Sequence, residues 1–173
     1  MRKIILNIII IVGLAAAPVL GQQSANLAEE TTLIFVRHAE KSEDGTNDPS
    51  LSKQGAERAK RLAELLMESH TITAIYTTGY KRTKETSSSI ADSLNLSVFE
   101  YQLNNPDSLM SVIIQKHRGE DVLIVGHSNT TPQLVNLSLG ESKYEKLDET
   151  DYSNIFIVKL SGNDKATVKR LIY

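Results

Sequence analysis

Four side chains in this sequence have the types and settings needed to handle a phosphoryl group: Arg37, His38, Arg82 and His127. A neutral imidazole carries a lone pair that attacks phosphorus, and a guanidinium meets two phosphoryl oxygens with a planar fork of donors. The two histidines share a setting. Thr32 to Val36 is apolar and runs straight into Arg37-His38-Ala39-Glu40, while Val122 to Val125 runs into Gly126-His127-Ser128-Asn129. If both runs are parallel strands of one sheet, both imidazoles emerge at its carboxyl edge, where open α/β folds place their ligands. Arg82 follows a third strand-like run, in the opening turn of a helix, beside Lys81 and Lys84. Cations there oppose the helix dipole, so they need either solvent or an anion. The lysines read as solvated; Arg82 reads as facing the sheet edge, where a phosphate would gain helix amides and guanidinium together. The remaining histidines, His70 and His117, close helices and need no chemical role.

The elements that must position these residues can be read from the same chain. Thr31 to Val36 is short, β-rich and apolar on both faces, as a buried strand requires. Glu40 to Ser50 is rich in turn residues, and Ser52 caps a helix whose apolar face is Ala56, Ala59, Leu62, Ala63 and Leu66. Thr73 to Thr77 is a second strand, followed by a helix to about Leu94 and a third strand over Leu96 to Tyr101. Asn105-Pro106 starts the next helix and Gly119 stops it. Asp121 to Val125 is a strand, and Thr131-Pro132 opens a helix to about Leu139. Gly140 to Ser153 is polar and long enough to be a flap, ahead of two closing strands, Asn154 to Leu160 and Ala166 to Tyr173. Strands alternating with helices predict a three-layer α/β/α sandwich around a mostly parallel sheet, made mixed by the last hairpin.

Composition narrows the function classes. The chain has 173 residues, 19 basic against 21 acidic, and no cysteine, which excludes disulfides and thiolate metal sites. Met1-Arg2-Lys3, the apolar run Ile4 to Ala17 and small residues before Gln22 read as a signal peptide over residues 1–21. A retained anchor is the alternative, although the run falls short of the roughly 20 residues that span a bilayer. Export, periplasmic or secreted, is the expectation, with a loose segment over 22–30 and one domain over 31–173. Without its first 21 residues the chain keeps 17 basic residues against 21 acidic, a net charge of −4. That balance argues against nucleic acid as a partner. A small phosphorylated substrate is the expected partner, with no stable membrane insertion once the leader is cut.

Arg37-His38-Ala39-Glu40 resembles the Arg-His-Gly-Glu signature of the histidine phosphatase superfamily, the phosphoglycerate-mutase-like fold. Leu51-Ser52-Lys53-Gln54-Gly55 is similar to the family's Leu-Thr/Ser-x-x-Gly helix start. Tyr76 to Thr86 resembles its Tyr-x-Ser-x-x-x-Arg-x-x-x-Thr segment, and Val125 to Asn129 its late Gly-His element. The resemblance spans Thr31 to about Leu139. It implies a phosphomonoesterase in which His38 takes the phosphoryl group as phosphohistidine. Arg37, Arg82 and His127 would surround the phosphoryl oxygens, with no metal or other cofactor.

Two departures follow from the comparison of motifs. Ala39 stands where the family usually has glycine. The general acid is missing from one usual position, since Ser128 follows the second histidine where many relatives have aspartate. Glu100, near the end of the third strand, is the candidate proton donor; Glu40 is expected to hold an arginine in place. Lys41, Ser42 and the charged stretch Glu141 to Asp151 are expected to border the pocket. Two other readings stand beside the phosphatase: a phosphate-binding protein without turnover, and a metallohydrolase using both histidines with loop carboxylates.

Overall fold

The computed structural model describes residues 30–162 and 165–173. The expected leader and all but Glu30 of the loose segment lie outside the described residues, as do Asn163 and Asp164 of the closing turn. Ten elements follow in order: β1 (Thr31–Arg37), α1 (Lys53–Ser69), β2 (Ile72–Thr77), α2 (Lys81–Leu94), β3 (Val98–Glu100), α3 (Pro106–Lys116), β4 (Asp121–Gly126), α4 (Thr130–Leu139), β5 (Asn154–Leu160) and β6 (Thr167–Ile172).

The strands form one six-stranded sheet in the order β3-β2-β4-β1-β5-β6. β3, β2, β4 and β1 run parallel, and β5 and β6 add antiparallel at the far edge. Every residue of β1 is buried, because alternate side chains feed two separate cores. Leu33 and Phe35 pack with Ile124, Ile113 and Leu134 under α3 and α4. Ile34 and Val36 pack with Leu123, Leu62 and Ile90 under α1 and α2. Each buried Leu, Ile or Phe contributes on the order of 1.5–3 kcal/mol by leaving water, so the central strands are the anchored part of the molecule. This is the predicted three-layer sandwich.

Local chemistry sets the ends of the elements. Ser52 Oγ accepts from Gly55 N at 3.1 Å to start α1, and Asn105 Oδ1 accepts from Ser108 N at 3.2 Å to start α3 behind Pro106. Gly140 closes α4 at φ 66°, the left-handed conformation that glycine adopts without a Cβ penalty. The third strand is shorter than the sequence predicts. Leu96 is still held by the preceding helix, its N–H reaching Ala91 O at 2.9 Å, so pairing begins only at Val98. The long segment after α4 is not a loose flap: Leu147 is buried, and its N–H donates to Ser128 O at 2.9 Å.

Gly55 carries the start of α1 directly over the chain leaving the first histidine. A Cβ at this position would collide with the Glu40 carbonyl oxygen, the same atom that accepts from Ser52 N at 2.8 Å. Backbone on both sides leaves little room to yield. Gly55→Ala is therefore expected to cost roughly 1–3 kcal/mol or more. Urea unfolding of the variant checks this, and an unchanged midpoint would refute the close approach.

Candidate functional site

β1 and β4 are paired in register, with Arg37 opposite Gly126, and the ladder continues one step further through His38 N to Gly126 O at 2.9 Å. His38 and His127 therefore leave the sheet side by side. Their rings meet edge to face with centroids 5.3 Å apart. β2 ends one strand over, and the turn Thr78-Gly79-Tyr80 brings the first residues of α2 to the same edge. Arg37, His38, Arg82 and His127 line one cleft of about 950 Å³, together with Tyr80 and Glu149.

His38 is 4% exposed, and its Nδ1 lies 2.8 Å from Ala39 O. A carbonyl only accepts, so Nδ1 carries the proton and Nε2 keeps the lone pair. Burial, followed by the neighbouring His127, Arg37 and Arg82, pushes the His38 pKa down to about 3; only the Ala39 carbonyl opposes the shift. His127 is pushed down to about 4 by burial and the two arginines, with Glu149 acting the other way. Both imidazoles are neutral near pH 7. Thr78 Oγ1 sits 2.9 Å from His127 Nε2 and 3.0 Å from the hydroxyl of Thr83, which fixes the second ring.

Each arginine is held from one side. Arg37 Nη1 donates to Asp148 O at 2.8 Å and Asp151 O at 3.1 Å, and Nη2 donates to Glu149 Oε2 at 2.9 Å. Its guanidinium also covers the Tyr152 ring, 4.1 Å from the centroid. Arg82 covers the Tyr80 ring at 4.3 Å, with Asp48 Oδ1 3.6 Å from Nη1. Nε of both arginines is buried and has no partner among the described residues. Both residues line the same cleft, and two cations gathered there suit an anion rich in oxygens.

The loop after His38 is braced from α1 and α2. Ala39 N donates to Thr86 Oγ1 at 3.0 Å, and Leu51 N donates to Glu85 Oε2 at 2.7 Å. Glu40 accepts from Arg58 Nε through both carboxylate oxygens, at 2.8 and 2.9 Å, so it holds an arginine that the sequence had not singled out. Glu100 lines the cleft but is half exposed and pairs with Lys84 at 2.9 Å, lying against Gly79. Lys41 is at the cleft wall, whereas the Ser42 hydroxyl turns to Asp44 and the Ser50 carbonyl. His70 closes α1 and meets Asp121 at 3.2 Å. His117 does more than close α3: it is buried between Tyr76 Oη at 2.9 Å and Glu120 at 2.6 Å. Thr78, Tyr80, Glu149 and Tyr152 are the site residues that sequence reasoning missed individually. Among the described residues, no three His, Asp or Glu side chains converge as metal ligands would.

Residues 33–102 match the model of the histidine phosphatase superfamily (branch 1). No curated protein sequence matches the chain. Among solved structures, the protein histidine phosphatase SixA complexed with tungstate shares 16% identity at a TM-score of 0.64, covering 82% of this chain and 96% of that one. Bacillus stearothermophilus YhfR shares 19% identity at a TM-score of 0.63, over 82% of this chain and 96% of its own. A mycobacterial glucosyl-3-phosphoglycerate phosphatase shares 12% at 0.65, over 83% and 98%. At these identities the likeness establishes a shared fold.

The depressed imidazoles have a measurable consequence. An unfolded chain takes up protons on His38 and His127 near pH 6.5, whereas the folded chain resists until about 3 and 4 respectively. The unfolded state thus binds more protons in that window, and stability falls as pH drops below about 6.5. NMR titration should find both rings neutral down to about pH 5. His38→Ala should flatten the acid-side loss of stability; titration midpoints above 6 would contradict the burial argument.

Proposed function

We propose that this chain, a histidine phosphatase superfamily protein by the match over residues 33–102 and by its fold, hydrolyses phosphomonoesters through a phosphohistidine on His38. The observation that carries this reading is the His38 ring itself: Nδ1–H is pinned to Ala39 O, and Nε2 is left unprotonated, with its lone pair free, inside a cleft shared with two arginines.

In the first step Nε2 attacks phosphorus, the P–N bond forms, and the P–O ester bond breaks with its electron pair leaving on oxygen. Arg37 and Arg82 meet the negative charge on the equatorial oxygens, and His127 lines the same cleft. In the second step water attacks phosphorus, the P–N bond breaks, and orthophosphate departs with His38 restored. Protonation of the leaving oxygen falls to the cleft wall or to solvent. Glu100 lies at the cleft wall, tied to Lys84, and Ser128 has no acidic group of its own. Substrates with good leaving groups need little help there. The basic head and apolar run of residues 2–17 support export as part of the same reading.

The purified chain is expected to hydrolyse p-nitrophenyl phosphate, in buffer with or without a strong chelator. His38→Ala should lower kcat/KM by on the order of 10³-fold or more, and Arg82→Ala by roughly 10²–10³-fold. Tight phosphate binding by a folded wild type that never turns over would favour a binding protein instead. Full activity in His38→Ala would remove the mechanism.

A further inference from the structure

We propose that Glu149 is a specificity-determining residue: its carboxylate holds the anion position on Arg37 and Ser128, and an incoming phosphoryl group must displace it. This rests on the phosphatase reading above. Glu149 Oε2 accepts from Arg37 Nη2 at 2.9 Å, and Oε1 accepts from Ser128 Oγ at 2.9 Å and Lys146 Nζ at 2.7 Å. A carboxylate set against a guanidinium and a hydroxyl offers the same oxygen geometry as a phosphoryl group.

The side chain is not needed to aim Arg37. Backbone carbonyls of Asp148 and Asp151 already hold Nη1, and the Tyr152 ring supports the guanidinium face. That backbone is stiffened by two consecutive side-chain turns, Asp148 Oδ1 accepting from Thr150 N at 2.8 Å and Asp151 Oδ1 from Ser153 N at 3.0 Å. Leu147 fixes the loop from below by its bond to Ser128 O. Only the Glu149 carboxylate, 62% exposed, remains free to swing away, and Lys146 on the same turn keeps one oxygen when it does. Arg37 is buried but its partner is solvated, and an incoming phosphoryl oxygen takes the carboxylate's place on the guanidinium, so the exchange leaves no buried charge unpaired.

Arg82 repeats the pattern. Asp48, 39% exposed on the loop after His38, stands 3.6 Å from its guanidinium and also accepts from Lys81 N at 3.0 Å. Two cations therefore face two carboxylates while both imidazoles are neutral. Orthophosphate must compete with these carboxylates using its oxygens alone. An ester adds contacts from its leaving group to the rest of the cleft, where Tyr80, Gln102 and Leu103 lie. The consequence is selection of esters over their own inorganic product, which then leaves easily.

Calorimetric titration of the full chain with orthophosphate tests this without relying on turnover. Glu149→Gln should bind orthophosphate about tenfold tighter than wild type, and Asp48→Asn should also tighten. Glu141→Gln, on the same segment but paired with Lys165, should leave the affinity unchanged. Equal or weaker binding by folded Glu149→Gln would overturn the inference, as would an equal gain in Glu141→Gln, which marks a bulk charge effect. Tightening in a protein that never hydrolyses esters would keep the inference and remove only the phosphatase reading. Normal hydrolysis with no tightening would do the reverse.

Discussion

The parallel pairing of β1 with β4 is the constraint on which the rest of the site depends. Because Arg37 lies opposite Gly126, the two histidines that follow are forced out at the same height and 5.3 Å apart, ring to ring. A slip of one residue would turn every side chain of β1 to the other face, exchanging the Phe35 and Ile34 cores. The apolar filling on both faces therefore fixes the register, and the register fixes the site. Chemistry at the sheet edge is paid for by packing some distance below it.

The second theme is charge kept in reserve. Burial and the adjacent guanidinium groups hold both imidazoles neutral, which leaves a lone pair on His38 Nε2 but costs stability in acid. The arginines are only partly satisfied: each keeps a buried Nε without a partner among the described residues. Loops rather than strands provide their counter-ions, Asp48 from the segment after β1 and Glu149 from the segment after α4. The four cleft side chains thus stand at the ends of sheet strands and at the start of a helix, while the carboxylates that face the arginines stand on loops.

Much of this was legible in the chain because it is written locally. A short run buried on both faces can only be a central strand, and Ser52, Asn105 and Pro106 announce helix starts by their own chemistry. Once the strands were placed, the sheet-edge rule brought Arg37, His38 and His127 together, and Arg82 followed from its helix start. What was not legible depends on long-range contact. Arg58 looks like any exposed helical arginine until the Glu40 carboxylate is seen to receive it. Glu149 sits in a charged stretch with no motif, and nothing local says that Leu147 buries itself and carries that carboxylate to Ser128. Leu96 looks β-like in the sequence, yet the preceding helix still holds its N–H and the third strand starts only at Val98.

The most direct test of the account is to find where the phosphoryl group goes. Wild-type chain mixed with a fast aryl phosphate, quenched within milliseconds under denaturing alkaline conditions and analysed by mass spectrometry, should carry a single phosphate on His38, attached at Nε2. Steady turnover with no phosphate on His38, or phosphate found on another residue, would contradict it.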